Sequence, residues 1–215
     1  MSGFFNSENF LWRGFAKFTD FLFLSMFFFL ASLPVVTIPA AAIALYDATA
    51  HCVYRDEPHP YGRFFRTYKN ELRRSVALAI VWGIIAFVLG IGYQFYYQMA
   101  QANTIPSIFA VVYYFFLFIP VAIFCWVIPA ESRFVYGFVQ LHKASLYLTF
   151  RHLPTTVAIT VLALVALESC LQIPFLLFII PGVITYLQTF FAERVLAQYL
   201  PKEAANEEET PEAIE

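Results

Sequence analysis

Four long apolar stretches, residues 18–36, 75–97, 105–130 and 155–192, decide what this chain of 215 residues can fold into. As one helix the last would run roughly 57 Å, nearly twice the ~30 Å hydrocarbon core of a bilayer. It must therefore turn back on itself. The segment "ESCLQIP" supplies the turn, with Glu168 and Gln172 for polarity and Pro174 to stop the helix. Composition agrees. Apolar residues make up 60% and charged residues 13%, about half the soluble average of ~25%. The 26 phenylalanines are too many for a core this small, and lipid is the surface they suit.

Charge placement orders these stretches. The 13 basic residues fall into four segments: Arg13 and Lys17; Arg55 to Arg74; Arg133, Lys143 and Arg151; and Arg194 with Lys202. The connections at 98–107 and around Glu168 hold no Lys or Arg. By the positive-inside rule the four basic segments are cytoplasmic and the two others external. The chain must then cross an even number of times between Lys17 and Arg63. Either residues 38–54 form a short return span, or 18–36 and its successor dip in together as a re-entrant hairpin. The expected fold is all-α: a polytopic bundle of six membrane helices, five long and one short, in three hairpins. Thr37 suits an N-cap and Pro39 a first turn, so the short helix starts there. A cleaved signal peptide is not expected, because the first run is long and further spans follow. The localisation expected is the plasma membrane, with both termini cytoplasmic.

One transmembrane domain is expected over residues 1–200. Residues 201–215, "PKEAANEEETPEAIE", carry six glutamates and no aromatic residue and read as a solvated, disordered tail. Cys52, Cys125 and Cys170 show no paired spacing and read as small buried residues rather than disulfides or metal ligands. Basic residues are few and interleaved with acids, so no nucleic-acid surface is expected.

Within "YGRFFRTYKNELRR", Phe64, Phe65, Tyr68 and Leu72 share one helical stripe, opposite Arg63, Arg66, Lys69, Arg73 and neighbouring Arg74. That is the pattern of a basic amphipathic helix lying on anionic headgroups at the inner surface. A weaker version recurs at 136–154, and "FRTYKN" aligns with "YLTFRH". The match is six residues long, and any inner-surface helix with aromatic anchors shares it. No catalytic or cofactor motif is present, and no metal site. Asp47 and His51 stand four apart on one helix face. They are the candidate intramembrane polar site, with a hydrogen-bonded structural pair as the plainer reading. A carboxylate at mid-membrane costs ~2.5–3.5 kcal/mol and needs a partner or water. Ser75, Ala79 and Gly83 repeat at four-residue spacing, a stripe suited to close helix packing or self-association. Asp20, Glu131, Arg133, Glu193 and Arg194 read as interfacial anchors.

The segments "LPVVTIPAAAIALY", "RDE" and "FFRTYKNELRRS" resemble the YesL-like family of bacterial integral membrane proteins, a domain of unknown function. Leu33, Pro34, Val36, Thr37 and Ile38 match its LPIVTIGAS-type motif, with Pro39 where glycine is usual. Arg55, Asp56 and Glu57 match its short turn, and Phe64, Phe65, Tyr68 and Asn70 its aromatic-basic segment. The resemblance is read over most of the chain except the tail. It implies a bacterial plasma-membrane location and a loose association with carbohydrate uptake, and transfers no catalytic residue. The function expected is a non-enzymatic accessory or regulatory partner of a transport system. The alternative is a small transporter or channel protomer with a polar path near Asp47 and His51.

Overall fold

The computed structural model describes residues 10–54, 59–101, 108–134 and 136–199. The acidic tail, the Arg55–Glu57 motif and most of the 98–107 connection lie outside them. The described chain is all-α: α1 (Phe10–Ala31), a 3-10 turn (Val35–Thr37), α2 (Ile38–Ala48), a π-helical turn (Thr49–Tyr54), α3 (Pro60–Gln101), α4 (Ile108–Arg133), α5 (Phe138–Arg151), α6 (Leu153–Gln172), a 3-10 segment (Pro174–Phe178) and α7 (Ile180–Leu196). A helix stands at each of the six expected places, but fewer than five of them are of membrane-crossing length: α7 has 17 residues. Four stretches are long and apolar enough to cross a bilayer, in α2 with its flanking turns, α3, α4 and α6; the apolar part of α1 is shorter. This is a membrane protein by that measure.

The centre is α2. Nine of its 11 residues are buried, and it supplies a residue to each of three apolar clusters. Leu45 and Ala48 meet Leu24 and Phe64. Ile43 meets Leu78, Val127 and Leu141. Tyr46 joins Trp126, Ile159 and Leu196. Small residues make this possible: Ala40, Ala41, Ala44 and Ala48 are fully buried, letting neighbouring backbones approach where lipid offers no hydrophobic drive between helices. The helix starts where expected, with Pro39 in its first turn, but Thr37 makes no side-chain cap. Its hydroxyl instead donates back to the carbonyls of Ala31 (2.7 Å) and Pro34 (2.6 Å), which closes the α1–α2 hairpin.

Cross-links fix the helix directions. Tyr61 on α3 reaches Asp20, and Tyr68 reaches Ala31, so α1 and α3 are parallel. The Ala40 amide meets Ser75, and Asp47 meets Arg63, so α2 runs back against α3. Along α4, Tyr113 bonds Leu89, Phe124 packs on Trp82, and Glu131 pairs with Arg74, in antiparallel order. Helices α6 and α7 form the third hairpin, with Gln188 reaching Ile159. Arg63, Arg74 and Arg133 therefore lie at one end of the bundle.

Two expectations change. The segment 61–74 is not a separate surface helix: it is the first part of α3, which runs unbroken for 42 residues, roughly 63 Å. Only its second half can lie in a bilayer, and there Val76, Ile80, Ile84, Phe87, Val88 and Ile91 are exposed. The repeat suggested by "FRTYKN" and "YLTFRH" fails with it, since one lies inside a long helix and the other ends a short one. The short return helix is 11 residues long and runs on into the π-helical turn. The hairpin tip is apolar and open, with Val35 75% exposed. Val35 and Ile38 share a groove with Ala79 and Leu89 of α3, Phe124 of α4 and Leu167 of α6. From Leu89, α3 continues another twelve residues to Gln101, roughly 18 Å further. The α1–α2 hairpin thus turns beside the second half of α3, at a groove that reaches Leu89.

Candidate functional site at the basic end of the bundle

Asp47 sits in the last turn of α2, buried to 5% exposure. The π-helical turn that follows widens the backbone and brings His51 back over it. His51 Nδ1 lies 3.1 Å from the Asp47 carbonyl and 3.1 Å from its Oδ1. Arg63 approaches from α3 as a fork, with Nε donating to Oδ2 at 2.9 Å and a terminal nitrogen to Oδ1 at 3.1 Å. Thr67, one turn along, donates to Oδ2 at 2.7 Å. A forked guanidinium contact of this kind is both strong and directional.

The network continues beyond the pair. Arg133, the last residue of α4, lies 2.9 Å from His51 Nε2. Arginine only donates, so Nε2 accepts and the ring proton resides on Nδ1, facing Asp47. His51 thereby bridges a carboxylate and a guanidinium. Arg133 also forks onto Glu193 of α7, at 2.9 Å and 2.6 Å, and Tyr46 of α2 donates to the same carboxylate at 3.0 Å. One connected set, Arg63–Asp47–His51–Arg133–Glu193–Tyr46, joins α2, α3, α4 and α7. Beside it Arg74 Nε stands 2.6 Å from Glu131 Oε1 and also contacts the Tyr136 carbonyl. The angles do not make the Glu131 contact a hydrogen bond, and both of its buried oxygens lack one among the described residues.

The expected pair is therefore real, and larger than expected. Arg133, Glu193 and Glu131, read as interfacial anchors, are buried partners. The available signal was parity: it places the ends of α4 and α7 beside the base of α2, where opposite charges must meet. A polar pocket of about 220 Å³ opens next to the network, lined by Asp47, Thr67, Asn70, Glu71, Glu131 and Arg133. No group of three His, Cys, Asp or Glu side chains among the described residues is placed to hold a metal ion.

The other expected residues divide. Phe64 is fully buried against α1, while Phe65 is 52% exposed. Tyr68 packs with Phe64. Arg63 turns inward; Arg66, Lys69 and Arg73 face outward, and Arg74 reaches α4. In the small-residue stripe, Ser75 accepts from the Ala40 amide at 2.7 Å and Ala79 lines the apolar groove. Gly83 is no close-packing position: a Cβ there would meet nothing within 4 Å. The glycine that permits contact is Gly182 of α7, where a Cβ would stand 2.7 Å from the Phe21 carbonyl and Ser25 Oγ.

Residues 9–93 match the family described as "Protein of unknown function, DUF624". This is the YesL-like family that the sequence resembles. All three quoted motifs fall inside the matched segment, which runs from α1 into the second half of α3, and α4–α7 lie beyond it. No curated protein and no solved structure matches the chain. The YesL-like segment supplies Asp47, His51 and Arg63, while Arg133 and Glu193 come from outside it.

Proposed function

We propose that this is a non-enzymatic integral protein of the plasma membrane that assists or regulates a transport system, with the basic end of the bundle in the cytoplasm. The observation that carries the reading is the closed charge network. Asp47, Arg63, Arg133 and Glu193 each face an opposite charge, and they tie four helix ends together instead of lining a passage. Above Asp47, α2 presents buried alanines and aliphatic residues, which suits a rigid support better than a solute path. Carbohydrate is the transported class implied by the family resemblance. Affinity purification of the full chain from native membranes tests this: transporter subunits should come with it, and their absence sinks the reading.

A second reading, a small transporter or channel protomer, draws on the pocket beside Asp47 and on Glu131, which lines it and, though ion-paired with Arg74, accepts no hydrogen bond among the described residues. Proteoliposomes distinguish the two. Absence of flux, or flux unchanged by Asp47→Asn, removes the transporter reading; flux abolished by that substitution in protein that keeps its helical circular-dichroism signal favours it.

A further inference from the structure

The surface-helix role expected of residues 61–74 falls to α5. Its two ends meet the same edge of the apolar belt. At one end the Tyr136 carbonyl, just before the helix, contacts Arg74, two residues before Val76 opens the exposed apolar series of α3. At the other end Arg151 stands two residues before Leu153, which opens the corresponding series Leu153, Val157, Val161 and Leu164 on α6. Both ends of α5 thus stand at that edge, while its first half packs inward, with His142 against Trp82 and Leu141 beside Leu78 and Val127. Its buried side, Leu141, Ser145, Leu148 and Thr149, faces the bundle.

Its open side mixes apolar and basic groups. Lys143, Tyr147 and Arg151 recur at four-residue spacing and line a shallow pocket of about 500 Å³ with Leu146 and Phe150. Between Phe138 and Arg151 there is no Asp or Glu. Among the described residues neither Lys143 nor Arg151 has a carboxylate partner. Tyr199 closes one end, its ring 6.3 Å from Tyr147 and its hydroxyl 2.9 Å from His152 Nε2. Uncompensated cations beside exposed aromatic and aliphatic side chains suit a bilayer interface, where phosphates meet acyl chains.

We propose that Lys143, Tyr147 and Arg151 form a binding site for the phosphate of an anionic phospholipid, with Leu146 and Phe150 against its acyl chains. The site stands independently of the accessory and transporter readings.

The test uses the full chain, purified and reconstituted with mixed phosphatidylcholine and phosphatidylglycerol. Co-purified lipid is then quantified by native mass spectrometry. Wild type should enrich phosphatidylglycerol, and Lys143→Gln/Arg151→Gln should lose roughly tenfold of that preference. Arg66→Gln/Lys69→Gln/Arg73→Gln, on the exposed side of α3, should change it by less than about twofold. All five side chains are exposed, so both variants should keep the wild-type unfolding temperature. Retained preference in the α5 variant overturns the proposal, as does an equal loss in the α3 variant, which would mean a diffuse basic surface. Competition by inorganic phosphate at matched concentration would make the ligand free phosphate and also overturn it. A preference seen only after deletion of residues 201–215 would make the acidic tail the occupant.

Discussion

At the residue scale, Asp47 is held by interactions that a neutral side chain cannot reproduce. Replacing it by Asn leaves the Arg63 guanidinium and His51 facing a group without charge, deep in the bundle. Breaking a buried pair in this way costs about 3–5 kcal/mol, so Asp47→Asn should markedly lower the unfolding temperature in detergent. Arg133→Gln should do the same by removing the guanidinium that forks onto Glu193. An unchanged unfolding temperature in either variant would mean that the network contributes no rigidity. The glycines give an opposed pair. Gly182→Ala forces a methyl against α1 and should destabilise by about 1–3 kcal/mol. Gly83→Ala meets open space and should be neutral or stabilise by up to about 1 kcal/mol through helix propensity. The reverse order of stabilities would contradict the packing described here. From sequence, the spacing of Asp47 and His51 was legible because four residues make one helical turn. Arg63 as a third member was not, since its stripe assigned it to the surface side of an amphipathic helix. Only the antiparallel packing of α2 on α3 turns it inward.

At the element scale, hydropathy and charge placement located every apolar helix, because a bilayer demands long apolar runs and the basic residues mark one side. They could not measure depth. Seventeen residues at 38–54 fit a short span as well as half of a re-entrant hairpin. Nor could they show that the basic segment is continuous with the span after it, because amphipathic and fully apolar periods can follow one another in one helix. Depth is measurable. In a chain with Cys52, Cys125 and Cys170 replaced, a single cysteine at Val35 should resist a membrane-impermeant thiol reagent from both sides. Labelling from the outer side would show that the α1–α2 hairpin crosses fully.

At the scale of the whole molecule, three hairpins return to one end, and that end carries the charge network, the outward basic residues of α3, and α5. The other end holds no Lys or Arg among the described residues. Single cysteines at Gln98 and Arg66 should label from opposite sides of the membrane; labelling from the same side would undo the charge-parity reasoning. The proposed accessory role rests on a charge network at one end of the bundle and exposed apolar side chains along α3. The most direct measurement of that role is quantitative co-purification of the full chain with its neighbours from native membranes. Transporter subunits should be recovered in near-stoichiometric amounts. Recovery of the chain alone, from membranes in which transporters are abundant, would contradict it.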